Sequence, residues 1–102
     1  MNLKDVTIVR VFFTEGEHLL DKIMTFLRDE AKVKGVTVFR GVSGFGPSGK
    51  IHTANLVYLS LDLPMVLEFF DEPEKVKGVM EELSSLAGVG HVVCWSGKAN
   101  FS

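Results

Sequence analysis

The sequence predicts one α+β domain with a ferredoxin-like βαββαβ order: a four-stranded antiparallel sheet with two helices on one face. Three observations predict it. The chain has 102 residues, the size of a single ordinary domain. Its strand-like runs are β-branched and aromatic without helical period, and two intervening segments carry apolar residues at three- and four-residue steps.

Residues 6–13, VTIVRVFF, read as the first strand. Thr14 and Glu17 have the spacing of a capping box, in which a hydroxyl and a carboxylate three positions on satisfy the open N–H groups of a helix start. Leu19, Leu20, Ile23, Met24, Leu27 and Ala31 form the apolar stripe of that helix, and Gly35 stands where a left-handed C-cap would end it. Residues 36–42, VTVFRGV, make the second strand. A Gly-rich stretch follows, and then residues 51–62, in which Ile51, Thr53, Val57, Leu59 and Leu61 alternate as an extended segment. Residues 63–70 form a further strand with Pro64 at its start, where a missing N–H costs little. Asp71 and Glu74 repeat the cap spacing around Pro73, and Val76, Val79, Met80, Leu83 and Leu86 line a second helix ended by Gly88 and Gly90. Residues 91–95, HVVCW, are the last strand, and the tail GKANFS is expected to be mobile or docked on a neighbour.

The strands are apolar on both sides. Val6, Ile8 and Phe12 oppose Val9, Val11 and Phe13, and Val66 and Phe70 oppose Leu67 and Phe69. Helices on one face would leave the other as bare hydrocarbon, which predicts a homo-oligomer packed sheet against sheet.

The composition excludes several classes. Eleven Lys+Arg against thirteen Asp+Glu give a net charge of −2, without the basic excess that attracts nucleic acid or anionic membrane. No run approaches the ~20 apolar residues of a membrane span, and the start lacks a signal peptide, so the expected location is cytoplasmic. The lone Cys94 has no disulfide or CxxC partner and is expected to be a buried small hydrophobe.

The stretch GFGPSGKI, residues 44–51, has part of the composition of a phosphate-binding loop. A true one needs Ser or Thr after the lysine and leads straight into a helix, whereas Ile51 follows Lys50 and opens an extended segment. What remains is a long Gly-rich connection, suited to a mobile loop rather than a tight hairpin, whose backbone N–H groups can approach an anion. His18, His52 and His91 lie far apart and have no metal-ligand spacing. Asp71, Glu72 and Glu74 read as helix-start charges. Glu68 stands inside an apolar strand and needs either a ligand or an ion-pair partner, with Arg10 and Arg40 both available in strands.

The order RGVSGFG at 40–46, IHTA at 51–54 and DLPMVLE at 62–68 resembles the small uncharacterised PII-like proteins, relatives of the PII nitrogen-regulatory signal transducers. The resemblance runs from Val6 to Val93. It implies a homotrimer with inward-facing sheets and a nucleotide effector in intersubunit clefts, contacted through Gly44, Phe45 and Gly46 and through the second-loop glycines Gly88 and Gly90. Lys50, His52, Glu68, Arg40 and Arg10 complete the candidate ligand set. Pro47 occupies the position at which PII proteins usually carry a phosphate-binding arginine, so AMP or ADP is favoured over ATP. The expected function is non-enzymatic signalling. A small effector would order residues 43–53, which a target protein reads, one candidate target class being a membrane transporter or channel. The rival readings are a ferredoxin-like enzyme with a cleft around His52 and Glu68, and a trimeric metal-binding or scaffold protein using Cys94 and the histidines.

Overall fold

A computed structural model, which describes residues 1–14, 18–53, 63–86 and 88–100, has the expected α+β architecture. In chain order it contains β1 (Lys4–Thr14), α1 (Leu19–Thr25) continued by a π-helical stretch (Phe26–Glu30), β2 (Val36–Arg40), β3 (Ser43–Phe45), β4 (Ile51–Thr53), β5 (Pro64–Asp71), α2 (Pro73–Ser85) and β6 (Val92–Ala99). The main sheet is four-stranded in the order β2-β5-β1-β6, every neighbour antiparallel, while β3 and β4 form a separate two-stranded hairpin. This is the ferredoxin-like topology.

The core lies between the sheet and the helices. Val9, Val11 and Phe13 of β1 and Met65, Leu67 and Phe69 of β5 pack against Leu19, Ile23 and Leu27 of the first helix and Val76, Val79 and Leu83 of the second. Side chains two apart on a strand share a face, so this set is one side of the pleat. Each fully buried Leu or Ile contributes about 1.5–3 kcal/mol of transfer free energy.

The structure corrects several expectations about boundaries. The capping box falls partly on residues 15–17, outside the described residues, and α1 begins after His18, a left-handed residue (φ 58°) whose side chain makes no cap hydrogen bond. Met24 is exposed. Leu19, Ile23 and Leu27 hold the core line at four-residue steps, and Met24, about 100° around from Ile23, falls outside it. The left-handed stop is Lys32 (φ 54°), not Gly35. There the Val33 N–H donates to the Leu27 carbonyl and the Val33 side chain packs on the core, so the hydrophobic anchor sets the end of the helix.

The N-cap of α2 is Glu72, one residue past the predicted Asp71, with Pro73 at the first helical position. Asp71 has a different task. It is 1% exposed, its Oδ1 accepts the Glu72 N–H at 2.8 Å and its Oδ2 the Lys34 N–H at 3.2 Å, with Lys75 Nζ at 3.3 Å. Lys75 also donates to the Lys32 carbonyl at 2.7 Å, which ties the start of α2 to the connection before β2. The last strand does not stop at Trp95: Ser96, Gly97, Lys98 and Ala99 continue it opposite Thr7, Val6, Asp5 and Lys4. Cys94 is exposed rather than buried, because it lies on the edge strand, outside the strip that the helices cover.

Candidate functional site

Residues 43–53 fold back on themselves as a hairpin, where a long open loop was expected. Ser43, Gly44 and Phe45 pair with Thr53, His52 and Ile51, and Ser43 Oγ and Thr53 Oγ1 lie 2.9 Å apart. The tip is a turn closed by a 2.9 Å bond from the Gly49 N–H to the Gly46 carbonyl, with Pro47 and Ser48 between them. Proline presets the φ of the first central position, and Gly49 supplies the φ of 77° needed to re-enter the strand. The hairpin presents apolar side chains to solvent, Phe45 being 74% and Ile51 67% exposed, with the exposed Lys50 beside them.

The sheet brings both glycine segments to one end. The Gly41 N–H donates to the Pro64 carbonyl at 2.7 Å, and a Cβ on Gly44 would lie 3.2 Å from Pro64 Cγ, so the hairpin base rests on the first residue of β5. The Gly90 N–H donates to the Phe12 carbonyl at 2.9 Å and the Phe12 N–H to the His91 carbonyl at 2.8 Å, which places the second segment beside the end of β1. Since Pro64 faces Thr14, both segments border the same edge, three strand spacings or roughly 14 Å apart. Arg40, the last residue of β2, lies at this edge opposite Met65. Pro64, missed as a site residue, forms the wall between hairpin and sheet; its sequence signal was a strand-initial proline opposite two glycines.

The glycines differ in why they are glycine. Gly88 has φ 91°, and a Cβ on Gly90 would stand 2.9 Å from the Phe12 carbonyl oxygen, so the protomer itself requires both. At Gly46 a Cβ would meet nothing within 4 Å, and its φ is not left-handed. The fold of one chain does not account for that glycine, as it does not for Gly35 or Gly78, but Gly46 alone of the three lies in the hairpin.

Arg10 and Glu68 lie elsewhere. They face each other across β1 and β5 on the side of the sheet without helices, Arg10 Nε 2.8 Å from Glu68 Oε1, and the Arg10 guanidinium lies 5.5 Å from the centre of the Trp95 ring. Arg10 precedes Thr14 by four residues, or roughly 13 Å along the strand, so this pair is not gathered with the glycines. Of the two readings of Glu68, the structure supplies the ion pair.

Around this pair the register arranges the open face in rows. One row runs Phe39, Val66, Phe12; the next Thr37, Glu68, Arg10, Val93; the third Phe70, Ile8, Trp95. Phe12, Phe39, Phe70, Val93 and Trp95 are each 36% to 50% exposed. A half-exposed apolar face, as expected from the two-sided strands, is present, although Val6 at its end is buried and Ile8 and Val66 are partly buried.

The histidines stay apart. His18 begins α1, His91 precedes β6, and His52 is opposite Gly44 in the hairpin. Among the described residues no three His, Cys, Asp or Glu side chains could share a metal ion, and no helix is long and apolar enough to cross a membrane.

Comparison with known proteins adds a family. Residues 6–99 match the family DUF190, described as uncharacterized ACR, COG1993. Two UPF0166 proteins of Aquifex aeolicus are similar to the chain: one is 36% identical, covering 74% of this chain and 76% of its own length, the other 30% identical, covering 78% and 80%. Among solved structures, CPII from Thiomonas intermedia K12, a nitrogen regulatory PII-like protein bound to ADP, AMP and bicarbonate, superposes with a TM-score of 0.77 at 23% identity, covering 96% of this chain and 91% of that one. A PII-like signaling protein from Thermus thermophilus gives 0.68 at 14% identity, covering 97% and 91%. These likenesses show the PII-like fold.

Proposed function

Because the chain belongs to the DUF190 family and has the PII-like fold, we propose that it is a PII-like regulatory protein that binds an adenine nucleotide in the clefts between subunits of a homotrimer. The observation that carries this reading is that both glycine segments lie at the same end of the sheet, with Gly46 left open where the protomer has no need of a glycine. A ligand approaching the backbone closely would supply that need. Backbone N–H groups near Gly44 and Gly46, with Lys50 and Arg40, would meet the phosphates, and Gly88 and Gly90 would border the opposite side of the cleft, with Phe45 and His52 close by in the hairpin. With Pro47 in the turn the set of cations is small, which favours AMP or ADP over ATP. CPII, a structural neighbour, is bound to both.

The effector would act through the hairpin. A ligand seated at its base changes the orientations open to residues 43–53, and a target responds only if it distinguishes those states. A membrane transporter or channel is the target class we favour, with the protein working in the cytoplasm and without catalysis. Arg10 and Glu68 satisfy each other and are not needed in the nucleotide cleft.

Calorimetric titration of the mass-verified oligomer with AMP, ADP, ATP and cyclic dinucleotides, with and without Mg²⁺, tests the reading. The expected result is binding of AMP or ADP by the parent and at least about tenfold weaker binding by Gly46→Val, a loss of about 1.4 kcal/mol. Equal binding by parent and variant would remove the hairpin turn at Gly46 from the site, and no binding by a folded trimer would remove the nucleotide.

A further inference from the structure

We infer that the Arg10–Glu68 pair, with Trp95, fixes the register in which copies of this chain pack open face to open face; the inference rests on the homotrimer proposed above and goes beyond it. The occupant of the face is a second copy of the chain, for two reasons. First, the area is right. An aromatic side chain buries 150–250 Å², so four of them left 36% to 50% exposed, with Val93, expose on the order of 400 Å², before Ile8, Val66, Thr37 and the charged pair are added. That is the size of the largest apolar patch on a typical monomer, which is often a functional one, and about half of the ~800 Å² per partner of a standard interface.

Second, the charge is right. Arg10 and Glu68 neutralise each other at 2.8 Å, so two such faces meet without like-charge repulsion. The same pair penalises misplacement, because its row lies between two apolar rows. Sliding one copy by two residues, about 7 Å along the strand, keeps the same side chains on the face but lays a charged row on aromatic rings. Exposed on one chain, where the side chains are 46% and 30% accessible, such a pair contributes little to stability. Covered by a neighbour it requires its counter-charge and the ring of Trp95, and replacement of both charges by apolar groups need not weaken association. Its effect is then selectivity among packings, the role that buried polar groups have in fixing coiled-coil register.

The test compares the full chain with Glu68→Leu, Arg10→Met and the double variant, by native mass spectrometry and sedimentation equilibrium, with circular dichroism as the check on folding. The parent is expected to be a single three-chain species. Each single variant should dissociate at least about tenfold more readily, and the double variant should regain tight association but spread over more than one stoichiometry. A double variant that remains a single trimer overturns the inference, and it does so even where a single variant fails to fold. Single variants that assemble as the parent does overturn it as well. A parent that is monomeric throughout overturns the trimer itself and this inference with it, so the two failures are distinguishable.

Discussion

At the scale of single residues, glycine means different things along this chain. Gly90 is packed against backbone: a Cβ added there would stand 2.9 Å from the Phe12 carbonyl oxygen, and strand β1 cannot yield without disturbing its register with β5 and β6. We expect Gly90→Ala to cost about 1–3 kcal/mol in urea unfolding, the range for forcing atoms into a filled site. Gly46→Ala, in open space, should change stability by less than about 0.5 kcal/mol. If the two variants were equally stable, the division between glycines the fold needs and glycines a ligand needs would collapse. The sequence alone does not separate these cases, since GFG and GVG look alike until the neighbouring backbone is known. Asp71 teaches the same lesson: its cap-like spacing from Glu74 was visible, but its bond to the Lys34 N–H joins residues far apart in sequence.

At the scale of elements, periodicity carried most of the fold. The alternation Val9, Val11, Phe13 and the spacing Leu19, Ile23, Leu27 placed both sides of the core correctly, because burial on a pleat or helix is a local geometric constraint. The misses lie where long-range contacts decide. β6 extends to Ala99 because Lys4, Asp5 and Val6 offer it pairing partners, although GKA has little strand character of its own. The glycine-rich hairpin formed because Pro47 and Gly49 suit its turn. Gly78 in α2 is a residue the helix tolerates rather than needs: it is exposed, with nothing within 4 Å of a Cβ. Gly78→Ala should therefore stabilise the protein by about 0.5–1 kcal/mol, read as a higher denaturation midpoint at unchanged m-value. Gly78 borders a groove between the helices lined by Phe26, Ala31, Val79 and Glu82, and a loss of stability there would mean that this groove is filled in the assembled protein.

For the whole molecule, the sheet has one face covered by helices and the other with Phe12, Phe39, Phe70, Val93 and Trp95 left 36% to 50% exposed, although Val6 at its end is buried, and the function proposed depends on what covers them. Trp95 is the sharpest probe. It lies 44% exposed on the edge strand, so it contributes little to the protomer core, and its ring is beside the Arg10 guanidinium. Trp95→Glu removes apolar area and adds a second carboxylate to a face on which Arg10 already pairs with Glu68, so covering the face would bury an excess negative charge. Sedimentation velocity should show this variant as a monomer at concentrations where the parent is assembled, with an unchanged far-ultraviolet dichroism spectrum. An assembled Trp95→Glu would show that the open face is not the contact surface. The monomer also makes the location of the ligand decidable. A cleft formed between subunits is lost with assembly although Gly44, Gly46, Gly88 and Gly90 are untouched, so a folded monomer that still binds AMP with parental affinity would place the site within one chain and leave the trimer without a part in effector recognition.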